Sequence, residues 1–331
     1  MAQFEKAIYD SSSLKFSQIS TLPKDLKDVV ISKLGDEILT LKVIKEAIGD
    51  QAHKILFETI DHKLIESVRL TYRLKNKVTG LSKIHHSLCI SSQAGCALGC
   101  TFCATGKMGL QKNLTVDEIV DQYLYFRKHN LPIDSIIFMG MGEPFSNPIN
   151  VLESLEIFTN PNKIGIGQRK ISISTVGIIP GIEKLTQTYP QINLAFSLHS
   201  PFPDQRLQLM PITKAYSIDQ VFRCLDERMK VNNHKIFIAY VLLAGVNDSV
   251  EHARALAQLI RANQHRQRLL HVNLIRYNPG NSKTVYQKPS KETVDLFKEI
   301  LTESGVKNTL RQDFGVNIDA ACGQLAAASR S

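Results

Sequence analysis

Tryptophan is absent from the 331 residues, and aromatic side chains make up only 7% of them. There is thus no obvious stacking stripe of the kind that single-strand binders use. No apolar run reaches the length of a membrane-spanning helix, so no membrane partner is expected. The opening "MAQFEKAIYD" carries acidic side chains and lacks the apolar core of a signal peptide, and a cytoplasmic location is expected. Cysteine is scarce, at six residues. In a reducing compartment such thiols serve as ligands, catalysts or core filler rather than as bridges, and a chain this long can bury a core without them. Acidic residues are in the minority: 31 Asp and Glu against 40 Lys and Arg leave a formal charge of +9. That excess favours a polyanionic partner such as a nucleic acid.

The chain is not uniform along its length. Up to about residue 75 it reads as two short helical stretches, "PKDLKDVVISKLG" and "LKVIKEAIGD", followed by an alternating hairpin near residues 53–73. The segment "KNKVTGLSKIHH" reads as a basic exposed loop. From residue 88 short β-branched strands alternate with helices. The strands are "LCISS", "DSIIFMG", "KISIST", "INLAFSLH", "KIFIAYVLL" and "LLHVNLIRYN". The helix "LTVDEIVDQYLYFRKHN" carries a capping box, Thr115 with Glu118, and "KETVDLFKEILTESG" ends on a C-terminal glycine, Gly305. Six such units imply right-handed crossovers and a parallel sheet. They are too few for a closed eight-stranded barrel, so the fold class is α/β, a partial (βα)6 barrel with chemistry at the carboxyl ends of its strands. A small α+β N-terminal domain over 1–80 would precede a catalytic domain over 81–331.

Three thiols, Cys96, Cys100 and Cys103, fall within "GCALGCTFCATGKMG", on the loop after the first of those strands. Clustered thiolates suit zinc or iron–sulfur. A structural zinc site wants a second pair of ligands, and Cys89, Cys224 and Cys322 stand singly elsewhere. Three ligands on a four-iron cluster leave one iron open to bind a substrate. Cys224, within a helix and outside any motif, reads as core packing.

Cys-x3-Cys-x2-Cys after a first strand resembles the signature of the radical S-adenosylmethionine enzymes. The stretches "CISSQAGC", "CATGKMGLQKNLT", "MGMGEP", "SISTVGIIP", "FSLHSP", "HVNLIRYNP" and "IDAACGQL" narrow the resemblance to the radical rRNA methyltransferases called RlmN and Cfr, over about residues 20–325. The resemblance implies one 4Fe-4S cluster held by Cys96, Cys100 and Cys103, with S-adenosyl-L-methionine chelated at the open iron. It implies an adenine of 23S rRNA as target, with tRNA as a second substrate in the carbon-2 branch, and an electron donor such as flavodoxin. Carbon-2 and carbon-8 of adenine are electron-poor and do not attack a methyl electrophile. The resemblance therefore implies Cys322 as a methyl carrier, Cys89 as the thiol that resolves a protein–RNA thioether, and Glu66 as proton acceptor. Oxidation of Cys89 and Cys322 to a disulfide is an expectation of the same kind. Gly142, Glu143, Ser174, Ser197, Leu198, His199 and Asn278 would bind S-adenosylmethionine.

The family's helical N-terminal domain is expected to be shortened here by roughly one helix, with the basic segment 73–86 compensating. "FSLHSP", "LIRYNP" and "DFG" resemble the carbon-8 branch, whereas "MGMGEP" resembles the carbon-2 branch. Two other functions stay open on the residues alone: a radical enzyme acting on tRNA or a small molecule, and a zinc-dependent nucleic-acid-binding protein. A monomer is expected.

Overall fold

The computed structural model describes residues 5, 8–9, 12–75, 80–262, 266–279, 285–312 and 314–315. Cys322 and the "IDAACGQL" stretch lie outside the described residues, as do positions 76–79. After a first helix, α1 (Lys24–Leu34), come β1 (Lys42–Ile48), β2 (Ala52–Glu58), β3 (Leu64–Lys75) and β4 (Ser82–Ile90). The thiol region forms a hairpin of β5 (Gln93–Cys96) and β6 (Gly109–Asn113) around a short helix, α2 (Ala104–Lys107). Alternation then sets in: α3 (Val116–Lys128), β7 (Ser135–Phe138), α4 (Pro148–Thr159), β8 (Ile171–Thr175), α5 (Ile179–Thr188) and β9 (Asn193–Ser197). It continues with α6 (Pro203–Leu209), α7 (Ile218–Asn232), β10 (Ile236–Leu242), α8 (Val250–Ala262), β11 (Leu270–Arg276), α9 (Lys291–Glu303) and β12 (Asn308–Leu310).

All strands but the β5–β6 pair join one ten-stranded sheet, ordered β1-β2-β3-β4-β7-β8-β9-β10-β11-β12. From β4 to β12 every pairing is parallel, which is the expected partial barrel. A short further strand, β12, extends it. The capping box is present: Thr115 accepts from Glu118 N, and Glu118 accepts from Thr115 N. Gly305 follows α9 at φ 74°, with Gly305 N bonded to Thr302 O and Val306 N to Leu301 O. Cys224 lies half-buried on α7 against the main core.

Two local expectations fail. "LKVIKEAIGD" is the edge strand β1 and not a helix. Leu41, Ile44 and Ile48 have helical spacing, but the segment pairs antiparallel with β2 from Lys42↔Glu58 to Ile48↔His53, so cross-strand pairing overrides local periodicity. Within the expected loop, residues 82–86 belong to β4, which pairs with β3 from Val68↔Cys89 to Lys75↔Ser82. The antiparallel strands therefore run without a break into the parallel ones, and residue 80 falls between two paired strands.

Faces follow from register, because cross-strand partners share a side and sides alternate along a strand. Phe57 and His53 of β2 meet Tyr125 and Phe126 of α3 with ring centroids 5.3 and 5.4 Å apart. Ser67 of β3 donates to Gln122 of α3 at 2.6 Å. One side of the antiparallel extension is thus covered by α3. The other carries Lys54, Val68, Cys89 and Ile137 in one row, with Glu66 two residues from Val68.

The hairpin bearing the thiols is unusually tight. Gly95 has φ 72°, and a Cβ there would lie 1.9 Å from Gly109 O. Gly95→Ala is expected to destabilise the chain by roughly 1–3 kcal/mol and to impair iron uptake. Chemical denaturation and iron analysis of the variant are the check, and unchanged values in both would show that the hairpin tolerates a side chain.

Candidate active site

Strand ends build this site, each fixed by a backbone bond to its neighbour. The β7 end, "MGMGEP", is stitched to the start of the thiol region: Ser91 Oγ accepts from Met141 N at 2.9 Å, and Met141 O accepts from Ser92 N at 2.9 Å. Gly142, at φ 94°, packs so closely that a Cβ would sit 2.5 Å from Gln93 Cβ. That approach places Glu143 next in line. Its N–H donates to Gln93 Oε1 at 2.9 Å, while its carboxylate accepts from Phe145 N at 3.1 Å and from Val176 N at 2.9 Å. Burial pushes this carboxyl up to about 7 against those hydrogen bonds, and a cation placed beside it would favour its charged form.

A cavity opens at the carboxyl ends of the parallel strands. Cys103, Gly142, Glu143, Ser174, Ser197 and His199 line it. Ser174 and Ser197 stand on adjacent strands with hydroxyls 3.3 Å apart, a spacing that can receive vicinal hydroxyls. His199 has φ 59° and is buried. Its Nδ1 accepts from Val241 N at 3.0 Å, so Nε2 carries the proton and is a donor. Burial, with Arg206 nearby, depresses its pKa to about 3, so it works as a neutral imidazole. Leu198 turns its side chain into the main core, and its N–H donates to Ala239 O at 3.1 Å. Asn278 follows Tyr277, which lines the cavity, and its Oδ1 accepts from Lys288 Nζ at 3.2 Å.

Cys96, Cys100 and Cys103 are free and half-buried. Burial pushes the Cys96 thiol up to about 11 and raises Cys100 as well, so any metal bound there would displace protons. Among the described residues no three His, Cys, Asp or Glu side chains converge closely enough to hold a single metal ion. A four-iron cluster takes each thiolate on a separate iron, and three thiols grouped on one hairpin are a donor set that fits it. Cys100 and Phe102 pack on an apolar group of Leu209, Met210, Leu243 and Tyr277, which limits water around that position.

Glu66 and Cys89, both buried, sit on the same side of the sheet as the cavity. Cys89 pairs with Ile137, Ile137 with Ser172, and Ser174 is two residues on. Sequence reasoning missed Arg206, which reads as an exposed helix charge in "PDQRLQL". It is fully buried on α6 and donates to Leu198 O at 3.1 Å, to Thr213 Oγ1 and Val176 O at 2.7 Å, and to Ser197 O at 3.1 Å. It ties the ends of β8 and β9 together, and α6 is itself held to the thiol loop by Thr101 N donating to Leu209 O at 3.0 Å. Arg311, just past β12, was also missed. It lines the cavity and donates to Met139 Sδ at 3.3 Å.

Two outcomes are expected. Replacing Cys96, Cys100 or Cys103 by Ala should remove the brown colour and the roughly four irons that anaerobic reconstitution gives the unaltered chain; full iron in any of the three would remove that residue from the ligand set. For His199 the sign follows from a folded pKa below the ordinary value of 6.5. The stability it contributes is present above that value and is lost as pH falls below it. Between pH 6.5 and 5 the wild type should lose about 2 kcal/mol that His199→Gln does not lose, measurable by denaturant titration at both pH values.

Residues 90–257 match the Radical SAM superfamily. The chain is 45% identical over 324 residues to the ribosomal RNA large subunit methyltransferase Cfr of Staphylococcus warneri, covering 98% of this chain and 90% of that protein. It is 44% identical over 326 residues to the Cfr protein of Bacillus velezensis, with the same coverage of 98% and 90%. The crystal structure of a radical SAM methyltransferase from Sphaerobacter thermophilus superimposes with a TM-score of 0.89 at 34% identity, covering 99% of this chain and 92% of that one. The thiol hairpin at the mouth of a partial barrel and this near-complete likeness lead to one conclusion: the chain belongs to the radical S-adenosylmethionine superfamily and, within it, to the family of the Cfr methyltransferases.

Proposed function

We infer that this protein is a radical S-adenosylmethionine methyltransferase of ribosomal RNA, and we propose carbon-8 of an adenine in 23S rRNA as the position methylated. One observation carries the reading: a single cavity brings Cys103, Glu143, Ser174, Ser197 and His199 together, with Cys89 and Glu66 on the same side of the sheet. When bound through Cys96, Cys100 and Cys103, a 4Fe-4S cluster with S-adenosylmethionine supplies one-electron cleavage of a sulfonium and hence hydrogen-atom abstraction.

The chain's own residues would do the rest. Glu143 would accept the ammonium of S-adenosylmethionine, which supplies the positive charge that its buried carboxyl favours. Ser174 and Ser197 would bond the ribose hydroxyls. His199 would donate through Nε2, and Asn278 with the backbone at Leu198 would take the adenine. Cys322 would accept the methyl group, because a thiolate attacks a sulfonium methyl and an electron-poor ring carbon does not. Cys89 would resolve the link between Cys322 and RNA. Glu66 would accept the proton that leaves the methylated ring carbon.

The net charge of +9 supports an RNA substrate, and the segment 1–80 is proposed to contact it. Among the described residues no helix is long and apolar enough to cross a membrane. The motifs "FSLHSP" and "LIRYNP" favour carbon-8, and Arg276, at the end of β11, could re-aim the base through a phosphate or a base edge.

Expression in a host lacking its own carbon-2 enzyme, followed by nucleoside mass spectrometry of 23S rRNA, should yield 8-methyladenosine. Only 2-methyladenosine would overturn the choice of carbon, and no methylated adenine would overturn the RNA substrate. Cys322→Ala should give no methylated RNA, whereas Cys89→Ala should accumulate protein covalently joined to RNA. Link-free behaviour in both would overturn the two thiol roles.

A further inference from the structure

Glu66 is buried on β3, with its side chain on the cavity side of the sheet. The element beside it, β2, sends Lys54 to the same side. Leu56 pairs with Glu66 and Lys54 with Val68, so the lysine stands one diagonal step from the carboxylate. Lys54 Nζ lies 3.1 Å from Glu66 Oε1, with the two side chains only 15% and 5% exposed. Val68 in turn pairs with Cys89. Lys54 and Cys89 thus stand in one row on either side of Val68, and Glu66 is one diagonal step from each, on the side of the sheet that carries Ser174.

Burying a lysine and a glutamate together gains little over an apolar pair of similar size, because desolvation offsets the attraction. The other side of the same strands shows the ordinary solution: Ile55, Phe57 and Ile65 are buried under the helix. A buried carboxylate alone tends to take up a proton and then cannot accept another.

The other charged groups facing this pair can be named. Glu58 of β2 is also on this side and pairs with His62 at 3.4 Å. Lys45 of β1 lies across Leu56 and is exposed. On β4 the titratable groups of this side are Cys89, across Val68, and, farther along the strand, His85 and Lys83. Ser91, which follows β4, bonds the backbone of Glu66 and not its carboxylate, with Ser91 Oγ donating to Glu66 O at 2.6 Å. Among these groups of the described residues, the one in contact with the carboxylate is Lys54.

We propose that Lys54 is a positioning residue for the methyl transfer: it holds Glu66 as a carboxylate, aimed along the cavity face, ready to accept the ring proton of the substrate base. The proposal rests on the reading of Glu66 as proton acceptor given above and adds the group that keeps it competent. In the step concerned the ring C–H bond breaks, an O–H bond forms on Glu66 and the electron pair stays with the ring. Lys54 gives up no proton. It favours the charged acceptor before the transfer.

The test joins a titration with a rate profile. In the apoprotein, the Glu66 carboxyl is titrated by infrared difference spectroscopy, with Glu66→Gln as the blank. Lys54→Met should move that titration upward by about one to three pH units, and Lys54→Arg should leave it near the wild-type position. In the reconstituted enzyme the acid limb of RNA methylation should move to higher pH in Lys54→Met by the same amount, while Lys54→Arg restores the wild-type profile. A Lys54→Met protein that loses activity evenly at all pH values, with the Glu66 titration unmoved, would overturn the proposal and leave Lys54 a packing residue. Should Lys54→Met not fold, a Lys54→Gln protein serves for the same two measurements. The underlying reading fails separately: Glu66→Gln with a wild-type rate would overturn Glu66 as proton acceptor. Inactive Glu66→Gln beside an unshifted Lys54→Met would overturn only the role of Lys54.

Discussion

β4 is hydrogen-bonded on both sides, antiparallel to β3 and parallel to β7, and the arrangement of the site depends on this double pairing. A strand in that position carries the side-to-side alternation of the parallel sheet into the antiparallel extension. A slip of one residue between β3 and β4 would turn Glu66 away from the cavity and under α3. The register is defended on the helix side, where Ile55, Phe57, Ile65 and Leu88 are fully buried and would have to become exposed. Packing of an apolar face against one helix thus dictates which polar groups reach the opposite face.

Around the cavity, charge is managed with few paired ions. The buried guanidinium of Arg206 is met by three carbonyls and a hydroxyl, and burial lowers its pKa to about 10. His199 is kept neutral, and Glu143 is held by backbone N–H groups. Fixed dipoles of this kind need no rearrangement when a charged ligand enters, which is the property expected of a preorganised site. The same bonds tie the ends of β7, β8 and β9 to one another, so the cavity-lining side chains on different strands share one rigid frame.

Much of this was legible in the residues themselves. The βα rhythm from residue 88, the capping box at Thr115 and the glycine after α9 are local signals, set by alternation, side-chain to backbone bonding and a left-handed φ, and each element formed where the residues place it. The motif glycines behaved likewise: Gly95 and Gly142 stand where a Cβ would strike the neighbouring segment. The thiol spacing, with no second pair beside it, already marked out a donor set suited to a cluster. "LKVIKEAIGD" was not legible, because its helical spacing competes with a partner strand that lies later in the chain.

What the sequence by itself determined is therefore the elements from β4 onward that carry local signals and the clustering of three thiols, since both rest on neighbours a few residues apart. What only the tertiary structure decided is which distant side chains meet. Nothing near Lys54 marks it as the partner of Glu66, twelve positions on; the antiparallel register of β2 and β3 brings them to 3.1 Å. Nothing in "PDQRLQL" marks Arg206 as buried, because a helix of that composition would pack with its arginine in water unless strand ends supplied carbonyls to receive it. In both cases the physical reason is the same: a charge is held out of water only where the fold delivers its partners, and those partners come from other strands.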